Sequence, residues 1–533
     1  MKKAFIAIAL GVFLAMMVSS AYAGERFIAP TELIQYDPTM AYNGYTLFNP
    51  LSGKTAYLID MEGNVVHTWV TDYLPGLYPY FLNDGSGNIL RGAQDPACTA
   101  ADTYNVLSGP RVGRLQEIDW DGNVVWDHTH ISQDSISHHD FRRIWNAKLG
   151  AYTNIHLSFE RMTADDAVAL GCDPKYEANY TGASESTATN PKNGWSLDGI
   201  YEADMDHNII WKWSFEDHLC QSYDSTKAGY VTDTSAHPEK LDINWLTPYG
   251  GPNPDWTHCN SLDYNQDLGL ICVNAKHMSE FYVIDHDNTF VAGDPTQSIA
   301  NAAGSGGDFM YRWGNPSVYG QGDPPGYLTE GHQQMYGAHN IQWIGGANSP
   351  WAASELSGGG NFLIFDNGCW CPTGYHSEVI EINPYLDASG NNTGSYVNPP
   401  DAGYGSAPGG TARDTSLSNQ VAWYFKSTNV MSFYAQHISG AQRLPNGNTL
   451  IMSGTTGHMF EVTADKQVVW EYQNPERSGI AYETFQTDAN SGQFSVFRCY
   501  RYGPDFPGLA GKDLTSQGRI TGVSDKFMWH SFN

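Results

Sequence analysis

The feature that most constrains this chain is a repeated hairpin. An apolar strand runs into an Asp or similar residue, a two- to three-residue turn follows, and a second strand usually ends in Trp. The repeat is seen in Tyr57-Leu-Ile-Asp60-Met-Glu-Gly63-Asn-Val-Val-His-Thr-Trp69 and in Glu117-Ile-Asp119-Trp-Asp-Gly122-Asn-Val-Val-Trp126. A third copy is Tyr201-Glu-Ala-Asp204-Met-Asp-His-Asn-Ile-Ile-Trp211-Lys-Trp213, and a weaker fourth is Phe281-Tyr-Val-Ile-Asp285-His-Asp-Asn288. The fifth is split by an insertion from Pro384 to Gln420, between Glu378-Val-Ile-Glu-Ile-Asn383 and Val421-Ala-Trp-Tyr424. The sixth is Phe460-Glu-Val-Thr-Ala-Asp465-Lys-Gln-Val-Val-Trp470. A second hairpin precedes several copies, as at Asp84-Gly-Ser-Gly-Asn88, Gly358-Gly-Gly-Asn361 and Leu444-Pro-Asn-Gly447-Asn. Alternating apolar residues around turns that tolerate positive φ are a hairpin signal. Two hairpins make a four-stranded sheet, and repeated sheets close most simply as a ring. The chain is therefore expected to be all-β, a six-bladed β-propeller with long face loops and a short N-terminal arm. Closure would also hide the sheet edges.

Composition agrees with one large globular unit. Of 533 residues, 41% are hydrophobic, 13% aromatic and only 16% charged, the opposite of a disordered chain. Lys2 and Lys3, the apolar run Ala4 to Val18 and Ala21-Tyr22-Ala23 read as a signal peptide over residues 1–23. Residues 24–44 would form the arm and residues 45–533 the propeller. The expected location is periplasmic or extracellular, with no membrane anchor. With 57 Asp and Glu against 28 Lys and Arg, the formal charge is −29, and loss of the leader takes it to −31. Such acidity argues against nucleic acid and anionic membrane as partners, which select for clustered Lys and Arg. Oligomeric state is left open. Eight cysteines in an exported chain suggest some structural disulfides, with the pairing open.

Histidine is the chemical signal. Among 18 histidines, four precede the first strand of a blade: His139 in His138-His139-Asp140, His258 in Asp255-Trp-Thr-His-Cys-Asn-Ser261, His339 in Gly337-Ala-His-Asn340, and His437 in Tyr434-Ala-Gln-His437. In a closed ring these would meet near the axis, where imidazoles can do nucleophilic, acid–base or metal chemistry. No metal-ligand spacing links them in sequence, so no metal or cofactor is expected. His67, His128, His130 and His156 read as strand or surface residues without a role.

The segments Asp255-Trp-Thr-His-Cys-Asn-Ser261, Tyr311-Arg-Trp-Gly-Asn-Pro316, Phe365-Asp-Asn-Gly368 and Gln442-Arg-Leu-Pro-Asn-Gly-Asn-Thr-Leu450 resemble the bacterial arylsulfate sulfotransferases. Phe497-Arg-Cys-Tyr-Arg-Tyr502 and Phe506-Pro-Gly-Leu509 fit the same family. The resemblance implies a six-bladed propeller that moves a sulfuryl group from an aryl sulfate to a phenol, without a nucleotide sulfate donor, through a sulfohistidine. It implies His437 as nucleophile with His258 and His339 in support. Asn260, Arg312 and His139 are candidate substrate-binding residues, and Arg142 is a second arginine that could reach the channel. One departure stands out: the family carries an arginine shortly after Phe-Asp-Asn-Gly, and here Gly368 is followed by Cys369-Trp370-Cys371-Pro372. The family's enteric members also carry a sizeable N-terminal β-domain for which this chain has no room. The alternative is a non-catalytic propeller that binds a ligand or partner protein, and a third reading is a metal-dependent hydrolase or lyase built on the same histidines if they converge in space.

Overall fold

A computed structural model describes residues 28–99, 110–176, 194–245, 255–347, 349–402, 418–427, 433–486 and 491–522. The leader lies outside them, as do residues 403–417 of the fifth-copy insertion. Six antiparallel sheets form the six blades of a β-propeller. In chain order, blade 2 is Pro75–Phe81, Ile89–Gln94, Gly113–Ile118 and Val124–Thr129. Blade 3 is Ser135–Asn146, Ala151–Thr163, Gly194–Ala203 and Ile209–Ser214, and blade 4 is Cys259–Asn265, Leu270–Ala275, Glu280–Asp285 and Tyr311–Trp313. Blade 5 is His339–Trp343, Phe362–Asp366, Glu378–Ile382 and Val421–Lys426. Blade 6 is Gly440–Arg443, Thr449–Ser453, His458–Val462 and Val468–Gln473.

Both ends of the described chain close the ring. Blade 1 joins Tyr45–Pro50, Thr55–Ile59 and Val65–Val70 to an innermost strand, Val496–Tyr502, brought from the far end. The N-terminal arm is itself a strand: Glu32–Tyr36 pairs with Val468–Gln473 and makes blade 6 five-stranded. Ile28–Pro30 pairs with Thr484–Gln486.

The repeat builds the outer hairpin of each blade, and its residues explain its geometry. Asp60, Asp119 and Asp204 each accept a hydrogen bond from the backbone N–H four residues on, at 2.8 Å in all three. The residue before that N–H takes positive φ: Gly63 80°, Gly122 87°, His207 72° and, in the sixth copy, Lys466 71°. A register shift follows each turn, the three-residue hairpin with a bulge that this Asp-x-x-Gly-Asn pattern favours.

The recurring Trp latches neighbouring blades. Trp69 Nε1 donates to Asp119 O at 2.9 Å, Trp126 to Met205 O at 3.0 Å and Trp211 to Thr289 Oγ1 at 2.9 Å. Trp423 donates to Ala464 O at 3.0 Å, and Trp470 closes the circle on Met61 O at 2.9 Å. Each acceptor lies at or beside the outer turn of the next blade. Between blades 4 and 5 a tyrosine substitutes, with Tyr311 Oη donating to Gln420 Oε1 at 2.8 Å.

Two sequence expectations change. The fourth copy does not close at Asn288; its partner strand is Tyr311–Trp313, reached after an excursion that includes the helix Pro295–Ala303. The expected disulfides are not formed: all eight cysteines are buried thiols. Cys98, Cys259, Cys272 and Cys499 belong to four different core clusters, where they pack as small apolar side chains. No helix among the described residues is long and apolar enough to cross a membrane.

Removing one latch should loosen the ring. Trp470→Phe keeps the ring in the core but leaves Met61 O unpaired, a loss of about 1–3 kcal/mol. Urea unfolding should show it as a lower midpoint. Trp423→Phe, at a half-exposed residue, should move the midpoint less.

Candidate functional site

The first strands of successive blades lie against one another around the axis. Those of blades 3, 4 and 5 are irregular at one end, with register shifts between His138 and Phe141, Cys259 and Ser261, and His339 and Gln342. There the chain enters the left-handed region at His139 (φ 43°), His258 (47°) and Asn340 (58°), and before blade 6 at Ile438 (55°) and Ser439 (93°). Positive φ is unfavourable for these residues, and most of all for β-branched Ile438. The three bulges and the strained approach to blade 6 turn the four predicted histidines toward one place.

His258 is the best-oriented base. Its Nδ1 lies 2.5 Å from Asp255 Oδ2, so a neutral ring donates Nδ1–H to the carboxylate and keeps its lone pair on Nε2. The ring centroid is 4.9 Å from that of His139 and 4.7 Å from that of His277. His139 is backed by His138, with 2.6 Å between their Nδ1 atoms, and His138 Nε2 is 2.8 Å from Asp198 Oδ1.

His339 and His437 form a second unit, and they do different work. His339 Nδ1 is 2.6 Å from Asn367 Oδ1, while its Nε2 accepts from the backbone N–H of Ile438 at 3.2 Å. Both nitrogens are thus engaged in holding the residue after His437. Asn367 adds Nδ2 bonds to the carbonyls of Ala435 (2.6 Å) and Ile438 (2.9 Å), and the Cys369 thiol donates to Gln436 O at 2.5 Å. Blade 5 therefore grips the strained loop 435–438 from several sides. His437 itself is exposed, and the described residues give its ring no hydrogen bond.

A cation from blade 4 reaches the segment that follows Gly368. Lys276, in the turn after Leu270–Ala275, places Nζ 5.7 Å from the centroid of Trp370, two residues beyond Gly368. Trp370 packs against Gly337 so closely that a Cβ there would sit 2.6 Å from the indole. Lys276 forms no ion pair among the described residues. Burial lowers its pKa. Burial and then the charge of Lys276 also lower the pKa of His258, His339 and His437, the first two to well below the usual imidazole value. His139 is held well below it by burial and by His138. All four rings are consequently neutral near pH 7.

Beneath the histidines the axis is closed by buried charge. Asp140 pairs with Arg142 at 2.7 Å and with Arg498 at 2.9 Å, and it accepts from Tyr78 and from the Leu262 N–H. Arg142 also reaches Asp263 at 3.3 Å. Arg142 is consumed by this network and is not free for a ligand. Arg312 is not brought to the histidines: it sits on the outermost strand of blade 4, held by Glu280 and by the carbonyls of Pro238 and Lys240. Asn260 is near the site but fully engaged, donating to Ala338 O at 2.8 Å and accepting from Asn274 at 2.9 Å. It sets the strand that carries His339.

Asp255, His258 and His277 each offer a donor atom within 4.8 Å of the others, close enough for a metal ion. Two of these atoms already hold each other, and His277 Nδ1 lies 2.6 Å from Asp255 O, so an ion would have to displace those bonds. Sequence reasoning missed Lys276, His277 and Asn367. All three stand at the turn after the second strand of a blade, and Lys276-His277 is a rare pair of cationic residue types in a very acidic chain.

No family model and no curated protein matches the chain. Solved propellers do. A protein of unknown function from Bacteroides caccae has 8% identity and a TM-score of 0.40, over 86% of this chain and 98% of its own. The Pseudomonas aeruginosa periplasmic gluconolactonase has 10% identity and a TM-score of 0.34, over 84% and 99%. Kuenenia stuttgartiensis hydrazine synthase has 8% identity and a TM-score of 0.32, over 84% and 80%. At this distance the likeness carries no chemistry.

The electrostatics predict selective labelling. Diethyl pyrocarbonate should modify His437 ahead of buried His139, His258 and His339. The pH profile of that modification should titrate below the ordinary imidazole value of about 6.5. Lys276→Ala removes a positive neighbour and should move the titration upward.

Proposed function

We propose that the protein transfers a sulfuryl group from an aryl sulfate to a phenol, with His437 as nucleophile. The observation that supports this reading is the meeting of an exposed, neutral His437 with His258, His339 and Lys276 at one end of the axis. A lone imidazole held by its backbone, rather than by its ring, keeps a nitrogen free to attack.

In the first half-reaction an imidazole nitrogen of His437 bonds to sulfur as the S–O bond to the aryl group breaks. The phenolate leaves with the electron pair and takes a proton from water. The Lys276 ammonium faces the sulfuryl oxygens, the role that the resemblance gives to the arginine absent after Gly368. In the second half-reaction the acceptor phenol attacks sulfur and gives its proton to His258 Nε2, which passes it to water. The S–N bond breaks and His437 recovers its lone pair. Asp255 stabilises the imidazolium formed on His258, and His339 is a positioning residue for the loop that carries His437.

The test is release of phenol from a chromogenic aryl sulfate with a phenolic acceptor present. His437→Ala should abolish it, and the wild-type peptide containing His437 should carry one sulfuryl group after donor is added without acceptor. Lys276→Met should lower kcat by about 10²–10³, with Lys276→Arg recovering part of the loss. No turnover by the wild type, or undiminished turnover by His437→Ala, would return the chain to the class of ligand-binding propellers.

A further inference from the structure

Three histidines to which the sequence reading gives no role come together away from the channel. His128 lies on the outermost strand of blade 2 and His130 follows it. His156 lies on the second strand of blade 3, opposite Phe141 on one side and Tyr201 on the other. The ring centroid of His156 is 5.5 Å from that of His128 and 5.0 Å from that of His130. One nitrogen from each ring lies within 4.8 Å of one from each of the others. An ion at about 2.0–2.1 Å from three imidazoles needs nitrogens about 3.3 Å apart, so modest ring movements suffice.

What makes this more than an aromatic cluster is unsatisfied polarity. His156 is 0% exposed, and neither of its ring nitrogens has a hydrogen bond. His128 is 4% exposed, its Nε2 is also bare, and its Nδ1 faces His207 Nδ1 at 3.4 Å. Buried polar atoms are nearly always paired. One ion would take a nitrogen from each of the three rings, including one of the two bare nitrogens of His156. Metal binding requires neutral imidazole, and burial, as the largest cause, holds His128 and His130 at about 4. The carboxylates of Asp127 and Asp204 raise the pKa of His128 against that burial, and Lys212, which lowers the pKa of His130, is paired with Glu160 at 2.6 Å. His130 Nε2 has Ser135 Oγ at 3.0 Å as an outer partner.

We propose that His128, His130 and His156 form a three-imidazole site for a divalent transition-metal ion, stapling blade 2 to blade 3. An all-nitrogen set selects zinc, cobalt, nickel or copper over magnesium or calcium. One coordination position would remain for water.

Cobalt is the probe. Full-length protein stripped with a chelator should bind one Co²⁺ tightly at pH 7.5, with visible absorption, and its thermal midpoint should rise with Co²⁺ or Zn²⁺. His130→Gln, at a half-buried residue, should keep the far-UV spectrum and lose affinity by about 100-fold, the scale of an altered metal shell. His156→Gln should do the same, and if it fails to fold, His130→Gln decides. His258→Asn is the control for the channel and should bind Co²⁺ as the wild type does. The proposal is overturned if the wild type binds neither ion, if His130→Gln binds as before, or if His258→Asn alone loses the ion.

Discussion

One hydrogen bond, repeated around the ring, sets the geometry of everything else. A blade alone exposes both faces, and stacking blades buries them without fixing their angle. The indole N–H of the outer-strand Trp does fix it, because it must find an acceptor at the turn of the next blade. The same residue fills the space between sheets and reads the position of its neighbour. Tyr311 performs this at the junction of blades 4 and 5, where the outer strand follows a long excursion. With outer edges registered in this way, inner strands cannot slide, and the bulges of blades 3 to 5 meet the strained approach to blade 6 at a common point.

The inner counterpart is the Arg498–Asp140–Arg142–Asp263 chain, which joins strands of blades 1, 3 and 4. Buried ion pairs are weak sources of net stability, but breaking one partner is costly. Their charges balance, so the network closes the axis without giving it a field. That leaves Lys276 as the local cation. A chain of formal charge −29 thus presents to an anion a region where acidic groups are spent on histidines and arginines and one ammonium is not.

The blades were legible because a hairpin repeat needs few residues to declare itself: an Asp, a positive-φ position, an alternating strand and a Trp. The histidines were legible because they share one place in that repeat. The supporting residues were not, for a physical reason. Lys276, His277 and Asn367 occupy turns between strands two and three, where no periodicity marks a side chain as facing the axis. Arg312 misled for the opposite reason: its strand follows a long excursion, and nothing in Tyr311-Arg-Trp313 says that it is an outer rather than an inner strand. His128 and His156 lie on alternating strands and read as ordinary sheet residues, since only the blade interface brings them together. The cysteines misled because compartment and even number say nothing of distance.

Closure by a distant strand also has a kinetic side. Arg501 on the closing strand bonds Thr46 across 455 residues of chain, a contact with a large loop-closure cost and a slow approach. The same strand accepts the Ser439 N–H at Phe497 O with 3.2 Å, next to the loop that carries His437. Part of the loop's support is therefore present only when the ring is shut. The placement of the loop that carries His437 is thus tied to the strand that shuts the ring, whose partner in the sheet, Tyr45–Pro50, comes from the other end of the chain.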